Sequence, residues 1–152
     1  MIRIMFVCLG NICRSPMGEF ILRDMVKKLD RQQDFLIASA ATSTEAIHNG
    51  VGSPVYSPAR EELKKHGISC EGKRAVQLTR DDYDKFDYFF CMDDGNVKSA
   101  IRIFGGDKEG KVRKLCSVTG SNKDVADPWY TRDFAATYND IYEACKVIAE
   151  NY

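Results

Sequence analysis

Apolar positions along this chain fall alternately into short runs and helical stripes. Ile2 to Cys8 is a continuous apolar-rich run, which reads as a strand buried on both faces. Leu9-Gly10-Asn11 then signals a turn, and Ser15-Pro16 a helix start, since serine caps helices and proline suits their first turn. Met17, Phe20, Ile21, Met25, Val26 and Leu29 fit one face of that helix. A second strand is predicted over Asp34 to Ala40. The stretch 41–58 is loop-like, with Asn49-Gly50, Gly52, Pro54 and Pro58, and longer than most connections, which points to a functional segment.

Ser57-Pro58 repeats the cap-then-proline signal for a short helix that ends at Gly67. Ala75 to Leu78 suits a short strand, and Thr79 to Asp82 carries a capping pattern before a helical turn. Asp87 to Met92 reads as a third buried strand, Asp94 to Phe104 as a helix, and Lys111 to Leu115 as a fourth strand. After a polar loop, Thr119 to Tyr130, Thr131 is placed to cap a terminal helix with Phe134, Tyr138, Ile141, Tyr142, Cys145 and Ile148 on one face. Strands alternating with helices imply an α/β fold: one domain over residues 1–152, with a four-stranded parallel sheet covered by helices on both faces.

Composition narrows the function classes. Lys+Arg and Asp+Glu are 22 each, so bulk electrostatic binding to nucleic acid or anionic lipid is not expected. No apolar span approaches the roughly 20 residues of a membrane helix. Met1-Ile2-Arg3-Ile4 lacks a signal-peptide pattern, so a cytoplasmic location is expected. The 6 cysteines include no Cys-x-x-Cys pair, and His48 and His66 have no partners at zinc-site spacing, so no metal centre is expected.

The chemistry lies in Cys8-Leu9-Gly10-Asn11-Ile12-Cys13-Arg14-Ser15, set between a strand and a helix. Parallel sheets bind ligands at the carboxyl ends of their strands. The amides of a tight loop and a helix N-terminus form an anion cradle there. Gly10 and Asn11 tolerate the positive φ values such a loop needs. Arg14 supplies a fork for two oxyanion oxygens. The same positive field favours a thiolate at Cys8, and Ser15 is placed to donate to that sulfur. No Gly-Lys-Ser/Thr follows, so this is not a nucleotide-binding Walker loop.

Val7 to Pro16 resembles the signature loop of the low-molecular-weight protein tyrosine phosphatases. So do Ser39-Ala40-Ala41-Thr42, His66-Gly67-Ile68, Phe86-Asp87-Tyr88 with Met92-Asp93, and Asp127-Pro128-Trp129-Tyr130, in the family's order and over essentially the whole chain. The resemblance implies the family's three-layer, Rossmann-like fold. It also implies a two-step mechanism without cofactor or metal. Cys8 would attack phosphorus and form a phosphocysteine, with Arg14, Ser15 and the amides of residues 9–15 around the phosphate. Asp127 would be the general acid and then base, giving an acidic optimum. Asn11, Ser15, Ser39 and His66 match a buried network that holds the loop. Cys13 matches a second loop cysteine that could trap oxidised Cys8 as a disulfide. Ile12, Glu45, Trp129 and Tyr130 would wall the pocket. Trp129 departs from the family's usual tyrosine, and Glu45 stands where an aromatic is common.

Implied partners are phosphotyrosine proteins or peptides, with inorganic phosphate as product and inhibitor. The expected state is a monomer, with weak self-association through aromatics around the pocket. Arsenate reductases share the loop pattern but need two resolving cysteines that Cys70 and Cys91 match poorly. Arginine phosphatases typically carry threonine where Ile12 stands. A non-catalytic phosphate-binding module would need neither Cys8 nor Asp127.

Overall fold

The computed structural model describes residues Met1–Tyr152. Strand β1 spans Ile2–Cys8, helix α1 Arg14–Lys28 and β2 Phe35–Ala41. A small hairpin, β3 Ile47–His48 and β4 Val51–Gly52, precedes α2 Ser57–Lys65. Then come β5 Tyr88–Cys91, α3 Asp94–Phe104, β6 Val112–Lys114, a short α4 Pro128–Thr131 and the terminal α5 Phe134–Asn151. The main sheet has the order β2-β1-β5-β6 and is parallel throughout.

β1 is central because it can bury both faces. Ile4, Phe6 and Cys8 join the larger core under α1, α2 and α5, together with Phe90, Leu63, Ile141 and Ile148. Met5 and Val7 point the other way, into a smaller core with Phe89, Ala100 and Phe104 under α3. The chain leaves β1 for β2 on one side and later returns to β5 on the other. The carboxyl ends of β1 and β5 therefore flank a switch point, where parallel sheets open a crevice. α1 lies very close to β1: a Cβ on Gly18 would stand 2.6 Å from the Phe6 ring.

The four expected strands and the long helices stand, with shifted ends. α1 begins at Arg14 with Cys13 at the cap position, so Ser15 is not the cap; its hydroxyl faces Cys8 instead. Tyr56 rather than Ser57 occupies the cap position of α2, and its amide donates to Ile12 O at 2.8 Å. Gly67, at φ 74°, ends that helix region as expected. α3 matches its predicted span, capped by Asp93, whose side chain accepts from Asn96 N at 2.8 Å. Asp133, not Thr131, caps α5, because Thr131 closes α4 and its hydroxyl accepts from Asp133 N.

Two segments differ from expectation. The 41–58 stretch contains the hairpin, turning through Asn49 and Gly50 at φ 52° and 77°, the left-handed pair that such turns require. The segment 75–78 is extended but forms no strand: it meets β2 only at the Ala41–Gln77 bridge. The amide of Val76 goes to the Asn11 side chain instead. No helix is long and apolar enough to cross a membrane.

Candidate active site

Cys8 is the last residue of β1, and the loop that follows curls back over its sulfur. The amides of Asn11 and Ser15 donate to Sγ at 3.3 and 3.4 Å, and Ser15 Oγ lies 2.9 Å from it. Asn11 makes the curl with φ 56°, the left-handed region that asparagine tolerates better than most residues. Its amide is fixed by three neighbours. Nδ2 donates to Ser15 Oγ at 2.7 Å and Ser39 Oγ at 2.9 Å, and Oδ1 accepts from Val76 N at 3.0 Å. Since Nδ2 can only donate, Ser15 Oγ accepts from it and keeps its own proton for the sulfur.

Behind this lies a buried acid. Ser39 Oγ donates to Glu19 Oε1 at 2.6 Å, and Glu19 also pairs with Arg23 at 2.7 Å and Lys73 at 3.3 Å. Lys73 Nζ donates to Ser39 O as well, at 3.0 Å. A charge this buried persists only when paired and hydrogen-bonded, and Glu19 is both.

His66 does not join the network, contrary to expectation. It sits at the carboxyl end of α2, with Nε2 3.1 Å from Glu62 Oε2 and its ring stacked on Tyr138 at 3.7 Å. Its ring faces Tyr138 on α5, and Ser39 donates to Glu19 instead. Sequence reasoning missed Glu19 as well, although its position four residues after Ser15, on the buried side of α1, was a readable signal.

Arg14 is almost fully buried and held from two sides. Nη1 donates to Val125 O at 3.1 Å, Nη2 donates to Asp93 Oδ2 at 2.9 Å, and Asp127 Oδ2 lies 3.5 Å from Nη2. The sequence pattern gives Asp93 no role; its place just beyond β5, across the switch point from Cys8, is what brings it to Arg14. Asp127 caps α4, accepting from Trp129 N at 3.1 Å.

These groups enclose a cavity of about 50 Å³, which suits one small oxyanion rather than a drug-sized ligand. Its lining joins Cys8, Leu9, Gly10, Ile12, Cys13 and Arg14 to Glu45, Asp127 and Trp129 from distant segments. A far larger cavity, about 600 Å³ beside α2, contains Arg60, Lys64 and Cys70 but no loop residue, so size does not locate the chemistry. Trp129 is half-exposed and stacks on Tyr56 at 4.7 Å. Tyr130 is 87% exposed and off the lining, contrary to expectation, because consecutive helical residues point about 100° apart and only one of the pair can face the cavity. Burial, then the charges of Cys8 and Asp127, push the Cys13 thiol up to about 12, against the pull of Arg14. Cys91 and Cys145 are core residues whose thiols burial also raises. No group of three or more His, Cys, Asp or Glu side chains converges to hold a metal.

The family model described as low molecular weight phosphotyrosine protein phosphatase matches residues 3–151. The chain belongs to this family. It is 36% identical to the low molecular weight phosphotyrosine protein phosphatase of Gallus gallus, covering 97% of this chain and 93% of that one. It is 35% identical to the low molecular weight protein-tyrosine-phosphatase YfkJ of Bacillus subtilis. The crystal structure of YfkJ superposes with a TM-score of 0.90 over 97% of this chain and 92% of that one. Vibrio vulnificus Wzb, solved in complex with benzylphosphonate, superposes with a TM-score of 0.84 at 28% identity over 99% of each chain. Membership in the low molecular weight phosphatase family thus rests on nearly the full length of sequence and fold.

Proposed function

We propose that the chain is a cysteine-dependent protein-tyrosine phosphatase acting through a phosphocysteine. The observation that carries this reading is the convergence, in one oxyanion-sized cavity, of a strand-end sulfur ringed by donors, a fixed guanidinium and a carboxyl from a distant loop.

Cys8 Sγ attacks phosphorus opposite the phenolic oxygen. Loop amides and Arg14 hold the equatorial oxygens while charge spreads over them. Asp127 gives its proton to the departing phenolate. As a carboxylate it then takes a proton from the water that attacks the phosphocysteine. Phosphate leaves, and Ser15 donates to the thiolate that is released. Arg14 and the amides supply the positive field, so the reading includes no metal or organic cofactor. Ile12 gives the cavity an apolar side that suits a phenyl ring.

Glu45 brings an exposed carboxylate to the rim, where its Oε1 is 3.3 Å from the position a Gly10 Cβ would take. Such a charge favours phosphotyrosines flanked by basic residues. Cys13 is the proposed redox partner: its attack on a Cys8 sulfenic acid expels water and leaves a Cys8–Cys13 disulfide. The whole chain is read as one catalytic unit, monomeric and cytoplasmic.

The test is turnover of p-nitrophenyl phosphate by wild type, Cys8→Ser and Asp127→Asn. Wild type turns over, Cys8→Ser does not yet still binds phosphate, and Asp127→Asn loses about 10²–10⁴-fold. An inert wild type that binds phosphate would reassign the chain as an anion-binding module. Phosphotyrosine, phosphoserine and phosphoarginine peptides compared side by side then fix the substrate class.

A further inference from the structure

The two residues before Asp127 have all four of their backbone polar groups claimed from elsewhere in the fold. Val125 N donates to Met92 O at 2.9 Å, beyond the end of β5, and Val125 O accepts from Arg14 at 3.1 Å. Ala126 N donates to Asp140 Oδ2 at 3.3 Å, and Ala126 O accepts from Thr137 Oγ1 at 2.9 Å. Both latter partners stand on α5, one turn apart. Downstream, Asp127 is tied into α4, its side chain accepting from Trp129 N and its carbonyl from Tyr130 N and Thr131 N, so the Ala126 peptide is the joint through which α5 holds Asp127 and α4 in place.

Thr137 is fully buried, although a β-branched residue inside a helix is a mild disadvantage there. Its hydroxyl also lies 3.3 Å from Asp133 O in the preceding turn, but the shorter contact is to Ala126. Asp140 is fixed in turn by Lys123 Nζ at 2.8 Å. We propose that Thr137 and Asp140 are positioning residues for Asp127: α5 grips the Ala126 peptide and so sets where the carboxyl stands above the cavity. This inference rests on Asp127 acting as the general acid.

The test compares kcat/KM, which reads phosphoryl transfer to Cys8, for two esters. Phenyl phosphate has the more basic leaving group and depends more on a proton than p-nitrophenyl phosphate does. Thr137→Val keeps the volume and removes the hydroxyl. It is expected to lose about tenfold with phenyl phosphate and much less with p-nitrophenyl phosphate. Thr137→Ser restores the rate, and Asp140→Ala, which removes the acceptor for Ala126 N, shows the same asymmetry if Thr137→Val folds poorly. In an Asp127→Asn background Thr137→Val costs nothing further. Equal losses on both esters, or an undiminished loss in that background, would overturn the positioning role. Asp127→Asn losing equally on both esters would instead remove the general-acid reading beneath it.

Discussion

Behind the floor of the cavity the polar side chains are tied to named partners, whereas at the rim side chains stand largely free. Asn11, Ser15, Ser39 and Glu19 form one buried chain of hydrogen bonds behind Cys8, and Arg14 is fixed by Asp93 and Val125. Around the mouth, Glu45 is exposed, Trp129 leans on Tyr56, and Tyr130 projects into solvent. Chemistry on a charged transition state needs dipoles that do not reorient as charge moves, and buried, doubly engaged groups meet that need. Choice among phosphoproteins needs only that the rim complement whatever flanks the phosphate.

Breaking the floor should therefore cost stability and rate together. Asn11→Ala places alanine at φ 56°, removes the donor that the Ser15 and Ser39 hydroxyls accept from, and leaves Val76 N without its acceptor. A drop in Tm of about 5–10 °C is expected in calorimetry, with kcat down about tenfold. An unchanged Tm would show that the network contributes little to stability.

Altering the rim should move selectivity alone. Wild type should prefer phosphotyrosine peptides with lysine or arginine neighbours over acidic ones by about three- to tenfold in kcat/KM, less so at high salt. Glu45→Gln should erase that preference and leave p-nitrophenyl phosphate turnover and Tm in place. Preference for acidic neighbours in wild type would refute the rim's role.

The smallest effect concerns Cys13, a floor residue with a pushed-up thiol. A raised thiol pKa means the neutral, unreactive form dominates below it, and thiolate accumulates only as pH climbs toward about 12. Mass spectrometry of Cys8→Ser protein treated with iodoacetamide at neutral pH should find Cys13 unmodified, with labelling that rises steadily with pH. Rapid labelling at neutral pH would place the thiol in a different environment.

Contiguity explains what could be read in advance. Cys8 through Ser15 carries its geometry in eight consecutive residues, so strand, turn and anion cradle were legible together. The alternation of apolar runs placed the four sheet strands, and α3 was legible to its ends because an aspartate caps it and Gly105 closes it at φ 76°. Long-range partners were not legible. The buried register of Glu19 on α1 is readable from its spacing to Ser15, but its partner is not: only the crossing of α1 over β2 brings it to Ser39. His66 was misassigned for the converse reason: its neighbours in sequence fit the pattern while its ring turns to Tyr138. The hairpin at 47–52 was hidden by strands of only two residues, although Asn49-Gly50 announced its turn. Tyr130 and Trp129 could not be told apart without knowing that α4 is helical.

The missing methyl at Gly18 acts as a spacer of zero thickness. Phe6 lies two residues before the sulfur on one arm, and Arg14 lies one turn before Gly18 on the other, so the catalytic loop is the hinge of a closed pair of tongs. Any side chain placed at Gly18 would prise the arms apart one turn from Arg14, and the widening would be felt in the loop that joins them.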